Sequence, residues 1–495
     1  MSLKKWIVSG AAALALMGTV ATAAPQAVTV EKDGTGDYLI APAYYAIANW
    51  KTELKVVNTN TTRAVAAKVV VRDSKSCDEL VDFVIYLTPG DVWTGTLYEE
   101  NGKVYLKSTD DSMIIGGQVA SPSNPIIVGG KSITVNYNGK DPATATDKSV
   151  INNVYWHGYV EVFGLVNYSP KDIEQYYQDT FDNDYPVREE DKSCDPLDKL
   201  VMYKAIKDGN GLRDFDNDED VANSDLMGKT TIYAESSDVN GRRFMQLNMA
   251  AFGNMSNEPL YTGIYGAQTA LGTVVDDKDK VASLDAALAK DHIYVMYEGD
   301  GNTINPIRTH FTIPTKKYWF TEGLNGMPSA YSLVNIINTP ANGPITLPFE
   351  YYYTINTNTT PVTFRDNKEH CNACNNTGTE VSGQQTEDCS IKIHEELHFF
   401  EDKKRTSLYD SSDPIAQYAF KEGGYIDFDL SGITYNGKMN NDNNVTFKGM
   451  PIIPTTFTAK NVQGIYLNNW LYNQYHEGNV TSAPSSFDSD ISNND

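Results

Sequence analysis

The chain has 495 residues and a net charge of −24 at pH 7, because 64 Asp and Glu outnumber 40 Lys and Arg. This acidity disfavours nucleic acid and anionic membrane surfaces as partners, since both are bound through basic surfaces. It favours cation binding and solubility. The 31 Tyr, together with abundant Thr and Val, favour pleated sheets, and a mature chain of about 470 residues corresponds to roughly three domains.

The first residues have the pattern of a secretory signal peptide. Lys4 and Lys5 precede an apolar run, and Ala21-Thr22-Ala23 gives the small-x-small cleavage pattern. The run is too short to span a bilayer, no later apolar run reaches the necessary length, and no Cys follows the cleavage site. We therefore expect residues 1–23 to be removed, and the mature protein to be secreted, extracellular or on the cell surface, without a membrane span.

Residues 37–112 predict the architecture. Runs of β-branched and aromatic residues are separated there by Asn-Thr, Asp-Ser and Pro-Gly breaks, which is typical of a β-sandwich or barrel. Leu54 and Val56 alternate with charged neighbours, so one face of their strand is expected to be buried and the other solvated. Residues 65–72 are nearly all apolar, which predicts a strand covered on both faces.

The chain also carries a series of motifs in a fixed order. They are GTGDYLIAPAYY, TELKVVNTNTT, AKVVVRD, DFVIYLTPGDVW and TDDS, followed by HGYVEVFGLV, LMGKTTIYAES, SLDAALAK and FTIPTKKYW. As a set they resemble a family of exported bacterial surface or extracellular proteins of uncharacterised function. The resemblance covers roughly half the chain, and residues 166–225 and 324–388 look like additions to it. It implies export and supplies no catalytic residues.

The remaining pattern predicts a mainly β chain of antiparallel β-sandwich modules with a small helical, acidic insertion. In the insertion, helix start signals stand at Ser169-Pro170 and Asp195-Pro196. Outside the insertion, a further helix is expected over 279–290. The expected divisions are the signal peptide (1–23), an N-terminal β-sandwich closed by a central strand near 155–166 (24–165), the helical insertion with an acidic loop (166–225), a second β module (226–322), a Cys-containing insertion (323–390), a C-terminal β module (391–477) and a disordered acidic tail (478–495).

The insertion ends in KDGNGLRDFDNDEDVANSD, where carboxylates are densest. Two overlapping registers resemble EF-hand and thrombospondin type 3 calcium loops, although Ile206 replaces the first Asp of one and Glu219 replaces the turn glycine of the other. Calcium takes about six to eight oxygen ligands, and so many neighbouring acids repel one another without a cation. The predicted calcium ligands are Asp208, Asn210, Asp214, Asp216, Asp218, Asp220 and Asp225. A solvated acidic loop is the alternative.

The cysteines allow two interpretations. His370, Cys371, Cys374 and Cys389 could bind zinc, because a C-x-x-C corner with two further ligands suits a tetrahedral site. Two ligands adjacent in sequence fit that geometry poorly, however, and exported chains form disulfides. We favour a disulfide of Cys389 with Cys371 or Cys374. Because the chain has 5 Cys, at least one thiol is free or bonded to another chain.

Residues 394–398, HEELH, match the H-E-x-x-H motif of zinc metalloproteases. That chemistry needs both histidines one turn apart on a helix, with the glutamate as general base and a third metal ligand. The preceding Ile391-Lys392-Ile393 alternates as a strand does, and no third ligand follows at the usual spacing. We interpret the match as chance and expect no enzyme activity from it.

Three classes of function remain. The first is a non-enzymatic structural protein that forms a homopolymer or lattice on the cell surface, such as a surface layer or filament, stabilised by calcium. In that case residues 24–32, which alternate apolar and polar, are a candidate strand for donation to a neighbouring copy. The second is a secreted calcium-dependent protein that binds a cell-surface glycan or another cell. The third is a secreted hydrolase, since two catalytic carboxylates can lie far apart in sequence.

Overall fold

The structure is a computed structural model, and the structural statements below concern the residues that it describes. These are residues 28–46, 50–73, 79–115, 118–119, 123, 125–129, 133–136, 148–151, 157–189, 197–207, 225–234, 243–255, 278–298, 307–315, 353–355, 362–366, 371–374, 391–393, 397–400, 422–430, 434–438, 444–462, 465–472 and 480–482. Pairing between the strands is antiparallel and the described chain is mainly β, as the sequence predicts.

The elements are numbered in chain order. Those of the N-terminal half are β1 (Thr29–Val30), β2 (Thr35–Gly36), β3 (Tyr38–Tyr45), β4 (Trp50–Asn58), β5 (Ala64–Asp73), β6 (Glu79–Leu87), β7 (Val92–Glu100), β8 (Lys103–Lys107), β9 (Ile114–Ile115), β10 (Gln118–Val119), β11 (Ile126–Gly129), β12 (Ile133–Asn136), β13 (Lys148–Ile151), β14 (His157–Tyr168), α1 (Pro170–Thr180), α2 (Lys199–Lys207), β15 (Leu226–Ala234), β16 (Arg243–Asn248) and β17 (Ala250–Gly253).

The C-terminal half follows in the same way. Its elements are α3 (Lys278–Leu288), β18 (Ala289–Lys290), β19 (His292–Glu298), β20 (Ile307–Thr312), β21 (Tyr353–Ile355), β22 (Val362–Asp366), β23 (Cys371–Cys374), β24 (Ile391–Ile393), β25 (Leu397–Phe400), β26 (Gly423–Asp429), β27 (Thr434–Lys438), β28 (Asn444–Lys448), β29 (Met450–Pro451), β30 (Ile453–Val462), β31 (Ile465–Tyr472) and β32 (Val480–Ser482).

Two sheets form the N-terminal sandwich. Sheet A has the strand order β1-β17-β3-β14-β5-β6, and sheet B has the order β11-β8-β7-β4-β15-β16, with β2 beside β15. The sheets share one apolar core, in which Phe83 of sheet A lies against Trp93 of sheet B with ring centroids 5.6 Å apart. The predicted antiparallel β-sandwich is therefore confirmed, and β14 is the central strand expected near 155–166.

Sheet A is covered on both faces. Residues 64–72 are buried without alternation, as their apolar sequence predicts. At one end of the second face, Tyr86 packs edge-on against Tyr203 of α2, with centroids 5.7 Å apart. At the other end, the hydroxyl of Thr312 at the end of β20 donates a hydrogen bond to the carbonyl of Pro42, 2.7 Å away. The helical insertion and the C-terminal half thus cover different parts of this face.

One face of sheet B packs in the shared core, and along its described strands the other face carries half-buried and exposed side chains. In β4, Leu54 and Val56 are fully buried in the shared core, whereas Glu53 and Lys55 lie on the accessible face. The same alternation runs through β7, β8 and β15. It is the period-2 pattern of a strand with one solvated face, and it agrees with the prediction.

The expected division at residue 226 is wrong. Residues 226–234 form β15, which pairs with β4 from Leu226↔Asn58 to Ala234↔Trp50. Residues 250–253 form β17, which pairs with β3 in sheet A. Strands β16 and β17 therefore belong to different sheets, and the chain crosses between them at Met249, whose N–H donates to the carbonyl of Gly228. Sequence order did not indicate this return to the first sandwich, because strand partners need not be neighbours in the chain.

The expected boundaries at 323 and 391 are wrong for a similar reason. One sheet has the order β19-β26-β22-β23 and another has the order β25-β20-β30-β31. Strands β22 and β23, from the expected Cys-containing insertion, therefore lie in one sheet with strands from both neighbouring segments. The strands described between residues 292 and 472 are interleaved rather than divided into three modules.

The helices begin close to their predicted positions. Ser169 caps α1, accepting a hydrogen bond from the N–H of Asp172 at 3.4 Å. Helix α2 begins at Lys199, three residues after the predicted start at Pro196, and the Asp198 carboxylate accepts from the N–H of Leu200 at 2.8 Å. Helix α3 ends at Leu288, because the next two residues form β18 against β29.

Segments near both ends of the chain contribute to sheets. Val28 is buried, and its N–H donates to the Ser283 hydroxyl of α3 at 2.6 Å. Strand β1 pairs with β17, so residues 28–30 extend the chain's own sheet instead of being donated to a neighbour. At the other end, β32 pairs with β28 through residues 480–482, so the tail expected to be disordered from 478 contains a strand there. β-branched Val480 and Thr481 favour that conformation.

The predicted signal peptide, residues 1–23, lies outside the described residues. Across the described ranges, no helix combines the length and the apolar character needed to cross a membrane.

Candidate functional site at the base of the acidic segment

Asp225 is the one predicted calcium ligand that lies within the described residues. Its Oδ2 accepts hydrogen bonds from the side-chain amides of Asn60 at 3.0 Å and Asn167 at 3.2 Å. Its carbonyl accepts two more, from the N–H and the hydroxyl of Thr59, each at 2.7 Å. Asn60 follows β4 of sheet B and Asn167 belongs to β14 of sheet A, so Asp225 joins the two sheets where the acidic segment ends.

The motif NTNTT forms the receiving turn. The Asn58 amide donates to the carbonyls of Arg63 and Thr88, at 2.8 and 3.0 Å. Asn60 Oδ1 accepts from the N–H groups of Thr62 and Arg63, at 2.9 and 2.8 Å. Asn side chains close such turns because their carbonyl oxygen reaches the backbone two residues on. This turn therefore presents the Asn60 amide to Asp225 in a fixed position.

The PGD turn lies beside it and holds the start of α2, the helix that leads into the acidic segment. The carbonyl of Asn60 accepts from the N–H of Gly90, whose φ of +72° favours glycine. The Asp91 carboxylate accepts from the N–H of Val92 at 2.8 Å and from the ammonium of Lys199 in α2. Ser112, the last residue of TDDS, accepts from the same ammonium at 2.6 Å and donates to Asp91 at 3.1 Å.

The charge of Asp91 is stabilised by these contacts. Burial alone would raise its pKa, but the hydrogen bond and charge of Lys199, with the N–H groups of Thr88 and Val92, hold the pKa of the Asp91 carboxyl below its ordinary value. Ser112 is fully buried, and its hydroxyl donates to Asp91. The Ser–Lys contact therefore joins the TDDS motif to α2.

Together these contacts hold the start of α2 and the end of the acidic segment at one end of the sandwich. Lys199 starts α2, which runs to Lys207 and leads into the acidic segment, and Asp225 ends that segment. The other predicted ligands, namely Asp208, Asn210, Asp214, Asp216, Asp218 and Asp220, lie outside the described residues. Fixing the two ends of a loop lowers the entropy that the loop must lose when it orders around a ligand.

Two side-chain oxygens at this base are suited to a cation. One belongs to the Asp225 carboxylate. The other is Asn167 Oδ1, which is buried and has no hydrogen-bond donor among the described residues. Calcium binds such carboxylate and amide oxygens. In the described part of the chain, no three His, Cys, Asp or Glu side chains are arranged to hold a metal ion. The prediction places the further ligands at residues 208–220.

The predicted zinc residues are only partly described. Cys371 and Cys374 are the two ends of β23, whose backbone is extended and pairs with β22 from Val362↔Cys374 to Arg365↔Cys371. The tight turn of a zinc-binding C-x-x-C corner is therefore not formed at 371–374. His370 and Cys389 lie outside the described residues, and so does the disulfide prediction for Cys389.

The HEELH motif follows one strand closely, and its last two residues belong to another. Residues 391–393 form β24, as the alternation predicts, and residues 397–400 form β25, in which His398 pairs with Phe311. Residues 394–396 lie outside the described set. Because His398 belongs to a strand, the two histidines do not share the helix that metalloprotease chemistry requires.

Sequence reasoning missed a second polar cluster, on the β19-β26 strand pair. His292 Nδ1 lies 2.9 Å from Asp427 Oδ1, and Nε2 lies 3.7 Å from Asp429 Oδ1. Burial lowers the pKa of His292, but the hydrogen bond and charge of Asp427, with the charges of Asp429 and Asp291, outweigh it and raise this pKa above its ordinary value. Tyr294 stacks on the imidazole and is 46% exposed.

The sequence analysis identified neither the cluster around Asp91 nor the cluster around His292. The two clusters differ in the signals that the sequence offered. Asp91 and Ser112 lie in the quoted motifs DFVIYLTPGDVW and TDDS, so attention to polar motif residues could have indicated them. Their partner Lys199, by contrast, lies in the insertion. His292 and Asp427 are 135 residues apart, and no local pattern relates them.

Comparison with known proteins adds no identity: no protein-family model, no curated protein and no solved structure matches the chain.

Proposed function

We propose that this chain is a non-enzymatic extracellular structural protein, a subunit of a surface layer or filament that is stabilised by calcium. One observation carries the proposal. The buried polar side chains of the described residues mainly connect one segment of the fold to another.

Three of these connections lie around sheet A. On its second face, Glu161 accepts from the hydroxyl of Tyr38 at 2.6 Å and from the guanidinium of Arg72, which joins β3, β14 and β5. The Ser283 hydroxyl joins α3 to the N-terminal strand. The fully buried Asp285 accepts from Thr315, so it joins α3 to the segment after β20.

Such interior hydrogen bonds make the sandwich, the insertion and the C-terminal half resist separation, because a buried polar group left without a partner is costly. Mechanical continuity of this kind is what a surface subunit requires. The motifs of the resemblance supply several of these groups, namely Asp91, Ser112, Glu161, Asp285 and Thr315. This supports the hypothesis that the resembling proteins share a scaffold rather than a reaction.

Calcium would act at the base of the acidic segment. Asp225 and Asn167 Oδ1 offer oxygens there, and the acidic residues from Asp208 to Asp220 supply the remaining carboxylates. The ion offsets their mutual repulsion and stabilises the state that presents those oxygens together. It also counteracts the repulsion between subunits, since the full chain has a net charge of −24 and its first 23 residues contain no Asp or Glu.

A second candidate function is a secreted calcium-dependent glycan-binding protein. The observation that favours it is the exposed Tyr294 beside His292 and Asp427. An aromatic face that stacks on a sugar, with carboxylates that accept hydrogen bonds from its hydroxyls, is a common arrangement in binding sites. A secreted hydrolase is the third candidate, and no described contact favours it specifically.

Negative-stain microscopy of the native cell surface and of the purified protein separates these classes. The proposal predicts regular lattices or fibres that carry this chain, with a mature sequence that begins at Ala24. Single particles in both samples, together with retention on a glycan array, would favour the binding protein instead.

A further inference from the structure

The accessible face of sheet B has a charge opposite to that of the whole chain. Its outward positions carry five lysines and two glutamates, although the chain as a whole has a net charge of −24. We call these lysines and the tyrosines between them the lysine face. Its members are Lys51, Lys55, Lys103, Lys107 and Lys229, with Tyr98, Tyr105 and Tyr233.

Two lysines of this face lie directly opposite each other. The register of β15 and β4 pairs Lys229 with Lys55. Like charges at directly opposed positions of an antiparallel pair destabilise the sheet. Among the described residues no carboxylate lies within ion-pair distance of either ammonium group. Two opposed lysines are expected where an acidic group of another molecule neutralises their charge.

The lysine face also has an aromatic and apolar centre. Tyr98 and Tyr105 stack with their ring centroids 5.6 Å apart, and the Lys107 ammonium lies over the Tyr98 ring at 5.1 Å. Ile127 pairs with Tyr105 across β11 and β8 and is 57% exposed. An exposed isoleucine next to stacked tyrosines is a surface that gains from being covered.

The end of α1 has the complementary composition. Residues 179–184, which we call the α1 tip, are DTFDND, and all are exposed. Asp179, Asp182 and Asp184 are close to Phe181 in the sequence, and Phe181 is 47% exposed. No Lys or Arg occurs between residues 172 and 187. The α1 tip thus combines negative charge with an exposed phenylalanine, whereas the lysine face combines positive charge with a tyrosine pair.

We propose that the lysine face of one copy of this chain binds the α1 tip of a second copy. The inference rests on the proposed assembly and specifies one of its contacts. Phe181 would lie against Tyr98, Tyr105 and Ile127, while the three aspartates face the surrounding lysines. The two surfaces share no residue, so the contact is head-to-tail and propagates into a fibre unless the rotation between copies closes a ring.

The charges make the contact sensitive to salt, because surface charges are screened over about 8 Å at physiological ionic strength. We expect a contact made by the short α1 tip to be weak alone and to act together with others along the assembly.

A charge swap tests the contact on the full mature chain, by sedimentation velocity in calcium at low and high salt. The face variant carries Lys103→Glu with Lys107→Glu, and the tip variant carries Asp182→Lys with Asp184→Lys. Each alone places like charges on both surfaces, and we expect association to weaken at least tenfold. An equimolar mixture restores opposite charges at every contact and should assemble again. Lys32→Glu with Lys171→Glu, two exposed lysines outside the face, is the matched control and should assemble as the unmodified chain does.

The outcomes separate this inference from the proposed function. Loss in each variant with recovery in the mixture supports the contact. If the unmodified chain assembles and the face and tip variants assemble equally well, the contact is wrong and the assembly stands. If the unmodified chain stays monomeric at every concentration, the assembly and the contact both fail. A monomer whose binding to heparin is lost in the face variant would assign the lysine face to a polyanion instead.

Discussion

Sheets A and B share one core, yet the faces that they turn away from this core differ in burial. The second face of sheet A is covered by α2, α3 and β20, and its cations are buried and paired: Arg72 with Glu161, and Lys68 with Asp82. The second face of sheet B is accessible, and there Lys55 lies opposite Lys229. Cationic residues of the same sandwich therefore differ in role, because one group is inside the fold and the other is available to a partner.

The largest expected effect comes from breaking the buried pair in sheet A. Arg72→Met leaves the Glu161 carboxylate buried with only the Tyr38 hydroxyl as a described partner, and removing one member of a buried ion pair costs about 3–5 kcal/mol. Urea unfolding should show this loss in the free energy of unfolding. A loss below about 1 kcal/mol would mean that this face is open to water.

A smaller effect is expected where sheet B meets the shared core. A Cβ at Gly95 would lie 2.5 Å from Cζ2 of the Trp93 ring, so Gly95→Ala must displace the indole. Overpacking of this kind costs about 1–3 kcal/mol. Thr94→Ala, on the accessible face one residue earlier, is the control and should change stability by less than about 0.5 kcal/mol. Equal effects of the two changes would contradict the assigned faces.

The connection between the insertion and the sandwich should depend on pH. Lys199→Met removes the ammonium from Asp91 and Ser112, and we expect a loss of about 1–2 kcal/mol at pH 7 for a partly buried charged hydrogen bond. The pKa of Asp91 is depressed in the folded state, so the stability it contributes is present above its unfolded value of 3.8 and is lost as the pH falls through the folded value. The difference between variant and parent should therefore shrink below pH 4. A difference that stays constant from pH 7 to pH 3 would show that Lys199 acts by packing alone.

The smallest effect has the opposite sign. Lys55→Met removes the repulsion from Lys229 and should raise the free energy of unfolding by a few tenths of a kcal/mol at low salt. The gain should disappear in high salt, where exposed charges are screened. Destabilisation by more than about 1 kcal/mol would show that Lys55 has a stabilising partner within the chain.

The difference between the two sheets could be predicted from the sequence, but the identity of the cover could not. Unbroken apolar residues in β5 indicated a strand with two covered faces, and the alternation in β4 indicated one solvated face. The cover of sheet A comes from residues such as Tyr203 and Thr312, which lie more than 100 positions away from their contacts Tyr86 and Pro42. The return of β15 and β17 to the first sandwich was missed for the same reason, since pairing between distant strands leaves no local pattern.

The candidate site shows the same limit. The acidic composition near residue 214 predicted a cation site, and the motif NTNTT predicted a turn. That Asp225 would connect this turn to Asn167 of the other sheet depends on the fold, because the three segments are far apart in the chain. Charge density identifies a candidate segment, whereas the groups that hold its ends are found only once the strands are paired.

The central claim is that the chain assembles through calcium-stabilised contacts, and sedimentation velocity of the mature protein at neutral pH, in calcium and in chelator, tests it most directly. The account predicts large, concentration-dependent species in calcium and their loss in chelator, with a lower melting temperature of the subunit. Asp214→Ala with Asp216→Ala should abolish the response to calcium. A protein that remains monomeric in calcium at high concentration, with a melting temperature that chelator does not change, would contradict the account.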